Sequence, residues 1–266
     1  MAGNRQGPRV SAGTVEGSKE GSSFLKKRSK KLLFVLVVAT TGARAAPLDV
    51  GSLLPGDYLE DRFMDTLRAT RSPLAALSER SAGPQCIQLV QTDNAWRFVA
   101  NENWHEGFTL FTITASGRMV PGDERVVYDP PKIDTPRHFY LRRAGSKNAG
   151  LGYSHVGDAD AAVARIALAG TYVDRDGRLV EFGTDGVLHG MGPDTRFSLN
   201  NDHVVGDKFD YFIIEEGKKL VAFRHEGNRL LLYHVMPAGP DSPDTGEPDF
   251  KHLLLSLQQV NTQPPH

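Results

Sequence analysis

Apolar residues recur in short runs along most of this chain, separated by Gly, Asp and Asn, which is the rhythm of strands and turns. Ile87–Thr92 and Ala95–Asn101 flank Asp93-Asn94. Both of those residues tolerate the left-handed conformations of a two-residue hairpin turn. The resulting register puts Ile87, Leu89, Trp96 and Phe98 on one face, and Cys86, Arg97 and Val99 on the other. Phe108–Thr114, Gly117–Val120, Glu124–Tyr128 and Arg137–Arg142 continue the series. Further on, Gly170–Asp174 and Arg178–Phe182 flank Arg175-Asp176-Gly177, and Val187–His189 and Arg196–Leu199 follow. Phe209–Glu215 and Lys218–His225 flank Glu216-Gly217, and Asn228–Val235 comes next. Pairing Glu215 with Lys218 sets Ile213 opposite Leu220 and Tyr211 opposite Ala222, with Phe212 facing Val221 on the other side. Both faces of that ribbon are apolar, as in a sheet covered on two sides. One face would line a barrel interior while the other packs on the rest of the protein.

Helical spacing is confined to short stretches. Phe63, Met64 and Leu67 predict a helix from Asp61 to about Ala69. A second starts at Pro73 with Ser72 as its N-cap. The Ala-rich stretch Asp158–Leu168 predicts a third, capped by Asp158.

The two halves of the chain look related. Leu54-Pro55-Gly56-Asp57-Tyr58 matches Leu168-Ala169-Gly170-Thr171-Tyr172 at the start of a first strand. Phe98, Asn101 and Gly107 recur at the same spacings as Phe197, Asn200 and Gly206. Val126-Val127-Tyr128 and Leu231-Leu232-Tyr233 each precede a Pro-rich stretch and a closing strand, His138–Arg142 in one half and Leu253–Leu257 in the other. Matched order and spacing are the sign of an internal repeat. The first copy would carry the helices after its opening strand. The Gly-x-Tyr start followed by a Gly-punctuated meander resembles the lipocalin-like (calycin) barrels, best over Gly170 to Gln258 and more weakly over Gly56 to Arg143. That family usually opens with Gly-x-Trp. The resemblance implies eight-stranded barrels with an apolar pocket. The expected fold is therefore mainly β, with two tandem antiparallel β-meander, lipocalin-like barrel domains and short helices. The domains would run 46–143 and 168–266, joined by a linker and helix over 144–167.

The first 45 residues read as a secretory signal peptide with a long n-region. Lys26–Lys31 is a basic cluster, Leu32–Ala39 an apolar run, and Ala43-Arg44-Ala45 a cleavage site for small residues. The apolar run is too short for a membrane-spanning helix, which needs about 20 residues. No cysteine follows it until Cys86, so a lipid anchor is not expected. Export, periplasmic or extracellular, changes the charge. The leader holds nine basic and two acidic side chains; removing them from the 31 and 32 of the whole chain leaves 22 and 30, a net charge of about −8. An acidic protein disfavours nucleic acid and anionic membrane surfaces as partners. Cys86 is the only cysteine, so it has no internal disulfide partner, and it is expected to be buried.

Candidate chemistry is sparse. Asn103-Trp104-His105-Glu106-Gly107 places an indole, an imidazole and a carboxylate in one loop, a binding edge or a proton-transfer pair. His105-Glu106 lacks the second His of a zinc-protease motif. His189, His203, His225 and His234 are spread too widely to converge on a metal. Asp174-Arg175-Asp176-Gly177 reads as a β-turn, and Gly152-Tyr153-Ser154-His155-Val156 as linker. Phe209, Tyr211, Phe212, Phe223 and Tyr233 are core residues or the lining of an apolar pocket. The candidate ligand-binding residues are thus Trp104, His105, Tyr211, Phe223 and Tyr233, with no catalytic residue, metal or cofactor expected. The leading expectation is an exported non-catalytic binding protein with a small apolar ligand in a barrel. The alternatives are an envelope or extracellular protein-interaction or structural module that docks a partner on the Trp104 loop, and a hydrolase built on a His and a carboxylate.

Overall fold

The structure is a computed structural model describing residues 50–79, 83–92, 94–102, 106–122, 126–200, 208–215, 219–236 and 247–260. The first half contains β1 (Gly56–Glu60), β2 (Cys86–Thr92), β3 (Ala95–Glu102), β4 (Glu106–Thr114), β5 (Met119–Pro121), β6 (Lys132–Thr135), β7 (His138–Leu141) and β8 (Leu151–Gly157). These form one curled antiparallel sheet in the order β5-β4-β3-β2-β1-β8-β7-β6. The second half contains β9 (Gly170–Val173), β10 (Leu179–Phe182), β11 (Val187–His189), β12 (Thr195–Leu199), β13 (Asp210–Ile214), β14 (Lys219–Glu226), β15 (Arg229–Met236) and β16 (Glu247–Gln259). Each of these pairs with the next, and β16 returns to β9, closing an eight-stranded antiparallel barrel. The fold is mainly β with two barrel-like domains, as expected.

One cyclic plan underlies both halves. Strands follow chain order, and the first pairs with both the second and the eighth. Only the pairing of fifth with sixth differs, present as β13–β14 and absent between β5 and β6 among the described residues. The opening strands share a local device as well. Gly56 and Gly170 have φ of +119° and +147°, which admit only glycine comfortably. Two residues on, Tyr58 and Tyr172 are fully buried, and each hydroxyl donates to the carbonyl four residues earlier, Leu54 or Leu168, at 2.8 Å. A buried phenol needs such an acceptor, and the chain leading into the strand supplies it.

Two expectations about the repeat need correction. The segment Gly152–Val156 is no linker: it lies in β8, paired to both β1 and β7, and is the true closing strand of the first half. His138–Leu141 is the seventh strand, one place short of closure. Likewise Phe98 lies on the third strand of its half and Phe197 on the fourth, so their equal spacing does not mark equivalent places. Gly206 lies outside the described residues.

Each half has its own core. In the first, Tyr58, Ile87, Leu89, Phe98, Phe111, Phe139 and Tyr153 share one cluster. In the barrel, the predicted register holds, with Ile213 opposite Leu220, Tyr211 opposite Ala222 and Phe212 opposite Val221. Phe182 stands 5.3 Å from Phe197 and 5.5 Å from Phe212, ring to ring, so aromatic side chains pack against one another across the barrel interior. The outer face of the same ribbon, Ala222, Leu231 and Tyr233, forms a separate apolar cluster with Phe209 and Val235.

Among the described residues three α-helices lie against these strands: α1 (Asp61–Thr70), α2 (Pro73–Ser78) and α3 (Ala159–Ala167). The Ser72 hydroxyl caps α2 through the Ala75 amide at 3.0 Å, and the Asp158 carboxylate caps α3 through Ala161 at 2.9 Å. Phe63, Met64 and Leu67 of α1 meet Ala159, Ala162 and Val163 of α3 in a buried cluster that includes Leu59 and Cys86. Cys86 is fully buried, and burial pushes its thiol pKa up. Helix α1 ends at Arg71, whose φ of +54° makes it the only non-glycine residue with positive φ among those described. Its guanidinium crosses to the barrel and donates to the Tyr172 hydroxyl at 2.9 Å and to the Gln259 side-chain oxygen at 3.0 Å. The Ile166 and Ala169 carbonyls accept at 3.3 and 3.4 Å. The start of α2 is tied to β13, because the buried Asp210 carboxylate accepts from the Ser72 hydroxyl and from the Leu74 amide.

Candidate functional site

A cavity of about 410 Å³ opens between α1, α3 and β8. Helical periodicity brings its walls together. Met64 and Arg68 stand one turn apart on α1, and Ala162, Arg165 and Ile166 share a face of α3. The strand contributes Ser154 and Val156, which alternate with the core residue Tyr153 and so turn toward the helices. His155 and Arg137, the latter from the turn between β6 and β7, complete it.

The cavity lining mixes three exposed arginines with Ser154, His155 and four apolar side chains. Arg68, Arg137 and Arg165 all reach it. Arg68 has an exposed partner, Asp65, at 3.2 Å. Arg137 and Arg165 have no carboxylate within ion-pair distance among the described residues. Guanidinium stays charged at any physiological pH. Three cations therefore converge on one concavity whose remaining lining includes Met64, Val156, Ala162 and Ile166.

Beside the cavity is a polar cluster built on Asp61, the first residue of α1. Its carboxylate accepts from the Ser154 hydroxyl at 2.7 Å and lies 2.9 Å from Nε2 of His138. His138 Nδ1 is 3.5 Å from the Asp134 carboxylate. Gly152 makes this possible, because a Cβ there would run into the Asp61 carboxylate. These are the residue types of a hydrolytic triad in another order. The carboxylate stands between serine and histidine, so the hydroxyl proton faces Asp61 and not the imidazole that would have to accept it. The cluster instead joins α1 to β7 and β8.

Two other places merit comparison. A second cavity, of about 370 Å³, lies on the far side of α3 against the barrel. Its lining mixes charges, with Asp160, Asp185 and Glu215 alongside Arg196 and Arg165, the last shared with the first cavity. At the barrel end near Arg71, Nε2 of His225 lies 2.8 Å from the Ala167 carbonyl, and burial, aided by the Arg71 guanidinium, lowers its pKa to about 4. The imidazole is therefore neutral near pH 7 and donates Nε2–H to that carbonyl.

Trp104 and His105 lie outside the described residues. The other three sequence candidates do not meet in one pocket. Phe223 belongs to the barrel core, whereas Tyr233 joins the outer cluster and Tyr211 shares its outward face opposite Ala222. Strand alternation sends them to opposite sides of the barrel wall. Of the histidines, His189 pairs with Asp194 at 2.9 Å, His234 is exposed and His203 lies outside the described residues. Among the described residues no group of three or more His, Cys, Asp or Glu is placed to hold a metal. Sequence spacing does not reveal the three arginines, because they come from a helix, a hairpin turn and another helix far apart in the chain. Only the Met64–Arg68 and Ala162–Arg165–Ile166 spacings were legible locally. No family profile, curated protein or solved structure matches this chain.

Proposed function

We propose that this chain is an exported binding protein of the lipocalin-like (calycin) class, built from a duplicated eight-strand meander, that holds a small amphipathic molecule outside its barrels. The observation that carries the reading is the cavity of about 410 Å³ between α1, α3 and β8, whose lining combines three arginines with apolar side chains. That volume falls within the usual range for small-molecule sites, about 300–1,000 Å³. Close packing of Phe182, Phe197 and Phe212 inside the barrel favours this placement over the barrel interior expected from the sequence. The leader pattern Lys26–Ala45 supports export. The shared strand cycle and the paired Gly56/Tyr58 and Gly170/Tyr172 devices support duplication.

The test is extraction of protein purified after export, followed by mass spectrometry of the small molecules released. Wild type should carry a ligand that the cavity-filling variant Ile166→Trp has lost. A wild-type extract without ligand, or the same ligand retained in Ile166→Trp, overturns the reading. A second reading, a protein-interaction module, draws on adjoining exposed side chains of β15 and β16: Met236, Phe250 and Leu253 are 55, 53 and 47 % exposed. Recovery of a partner polypeptide that Phe250→Ser no longer retains would favour that module.

A further inference from the structure

We propose that the α1–α3 cavity selects an anionic amphiphile, with a carboxylate or phosphate headgroup between Arg137 and Arg165 and an alkyl tail over Met64, Val156 and Ile166. This rests on the binding reading above and adds the chemical class of the ligand. Arg137 and Arg165 lack carboxylate partners among the described residues and reach the same concavity. Guanidinium groups recognise carboxylates and phosphates through two parallel N–H donors. The Ser154 hydroxyl donates its proton to Asp61, so the arginines are the cavity's charged donors to an anion. The tail is needed because Met64, Val156, Ala162 and Ile166 give the lining an apolar part beside Ser154 and His155, and because exposed charges alone bind small anions weakly in salt. The chain's basic and acidic side chains nearly balance, 31 against 32, so a cluster of arginines does not follow from overall charge. The second cavity, with acids and bases mixed, makes no such selection.

The experiment is calorimetric titration of the full mature chain with four probes below their micellar concentrations: dodecanoate, dodecyl phosphate, dodecanol and dodecyltrimethylammonium. At least one anion should bind tenfold or more tighter than dodecanol, with the cation weakest. Which anion is preferred separates a fatty-acid headgroup from a phosphate one. Shortening the anion should weaken binding about fourfold for each methylene removed. Arg137→Gln/Arg165→Gln, both exposed positions, should abolish the preference for the anion over dodecanol. Arg175→Gln/Arg178→Gln, on the β9–β10 turn, removes the same charge elsewhere and should change nothing. Dodecanol binding as tightly as both anions would overturn the anion proposal and leave the binding reading standing. An anion preference that survives Arg137→Gln/Arg165→Gln, or that falls equally in the turn variant, would also overturn it. Failure of all four probes would overturn it too, and a ligand-free extract alongside would remove the binding reading with it.

Discussion

The matched tyrosines of the two halves allow a comparison within one molecule. Tyr58→Phe and Tyr172→Phe each delete one oxygen from a fully buried ring and leave the aromatic packing in place. In both, a donated bond to the carbonyl four residues earlier is lost, at 2.8 Å in each case. A neutral hydrogen bond is worth about 1 kcal/mol net. Tyr172 has a second role, because its oxygen accepts from Arg71 Nη2 at 2.9 Å. Hydrogen bonds to charged groups are worth about 1.5–3 kcal/mol. The Ala169 carbonyl, 3.4 Å from the same nitrogen, compensates in part. Tyr58→Phe should therefore cost about 1 kcal/mol and Tyr172→Phe about 2–4 kcal/mol in urea denaturation followed by far-UV circular dichroism.

The excess belongs to Arg71, so it should vanish when the guanidinium is absent. In Arg71→Met protein, Tyr172→Phe should cost about 1 kcal/mol, as Tyr58→Phe does. The coupling energy of that cycle would then be about 1–3 kcal/mol, well above the few tenths seen between independent sites. Equal costs for the two tyrosines, or a coupling energy below about 0.3 kcal/mol, would refute the idea that α1 is locked to the barrel through this bond.

Three further outcomes are expected. His225 has its pKa lowered to about 4 in the folded chain, chiefly by burial and further by Arg71. The unfolded chain, with a pKa near 6.5, takes up that proton first, so stability present above about pH 6.5 is lost as pH falls toward about 4. Allowing for partial exposure the loss is on the order of 2 kcal/mol; His225→Gln should flatten the slope of stability against pH across this window, and an unchanged slope would contradict the assignment. Gly152→Ala drives a methyl group into the Asp61 carboxylate and should cost about 2 kcal/mol, much less in an Asp61→Ala background, as thermal denaturation of the four proteins would reveal. Burial raises the Cys86 thiol pKa and encloses the side chain, so Ellman's reagent should label it only on global unfolding; stoichiometric labelling of native protein would place it elsewhere.

What was legible in the sequence was what neighbouring residues decide among themselves. The β13–β14 register followed from one turn and two apolar stripes, and it holds pair by pair from Tyr211–Ala222 to Ile213–Leu220. The caps at Ser72 and Asp158 were equally local. The sequence of strand β8 looks like linker because its composition answers to a distant residue. Gly152 is small because Asp61 lies over it, and Ser154 is polar because it donates to the same carboxylate. The aromatic candidates were read as one set because proximity in sequence conceals the wall between Phe223 and Tyr233. The cavity could not be read at all, since it depends on α1 and α3 meeting across β8.

The open seam of the first half has a local cause, and it bears on where the site lies. Closing an eight-strand cycle requires the fifth and sixth strands to offer each other free backbone edges. In the second half β13 and β14 do so over five residue pairs. In the first, β5 is three residues long and ends at Pro121, which has no amide hydrogen to donate. The next amide, of Gly122, still turns to β4 through the Leu110 carbonyl at 3.0 Å. On the other side of the seam, β6 carries exposed Lys132 and Asp134, the kind of charge that discourages an edge strand from pairing with another molecule. The first half thus manages an edge that closure removes from the second. Its opening strand also leads into α1 and α2, whereas β9 turns directly into β10 through Arg175-Asp176-Gly177. Asp174 fixes that turn by accepting the Asp176 and Arg178 amides at 2.8 Å. The two departures from a shared plan therefore fall in one half, and the helical one supplies Met64 and Arg68 to the cavity. A molecule bound there would touch the helix that distinguishes the first half, the strand that completes its sheet, and the helix that leads into the second half.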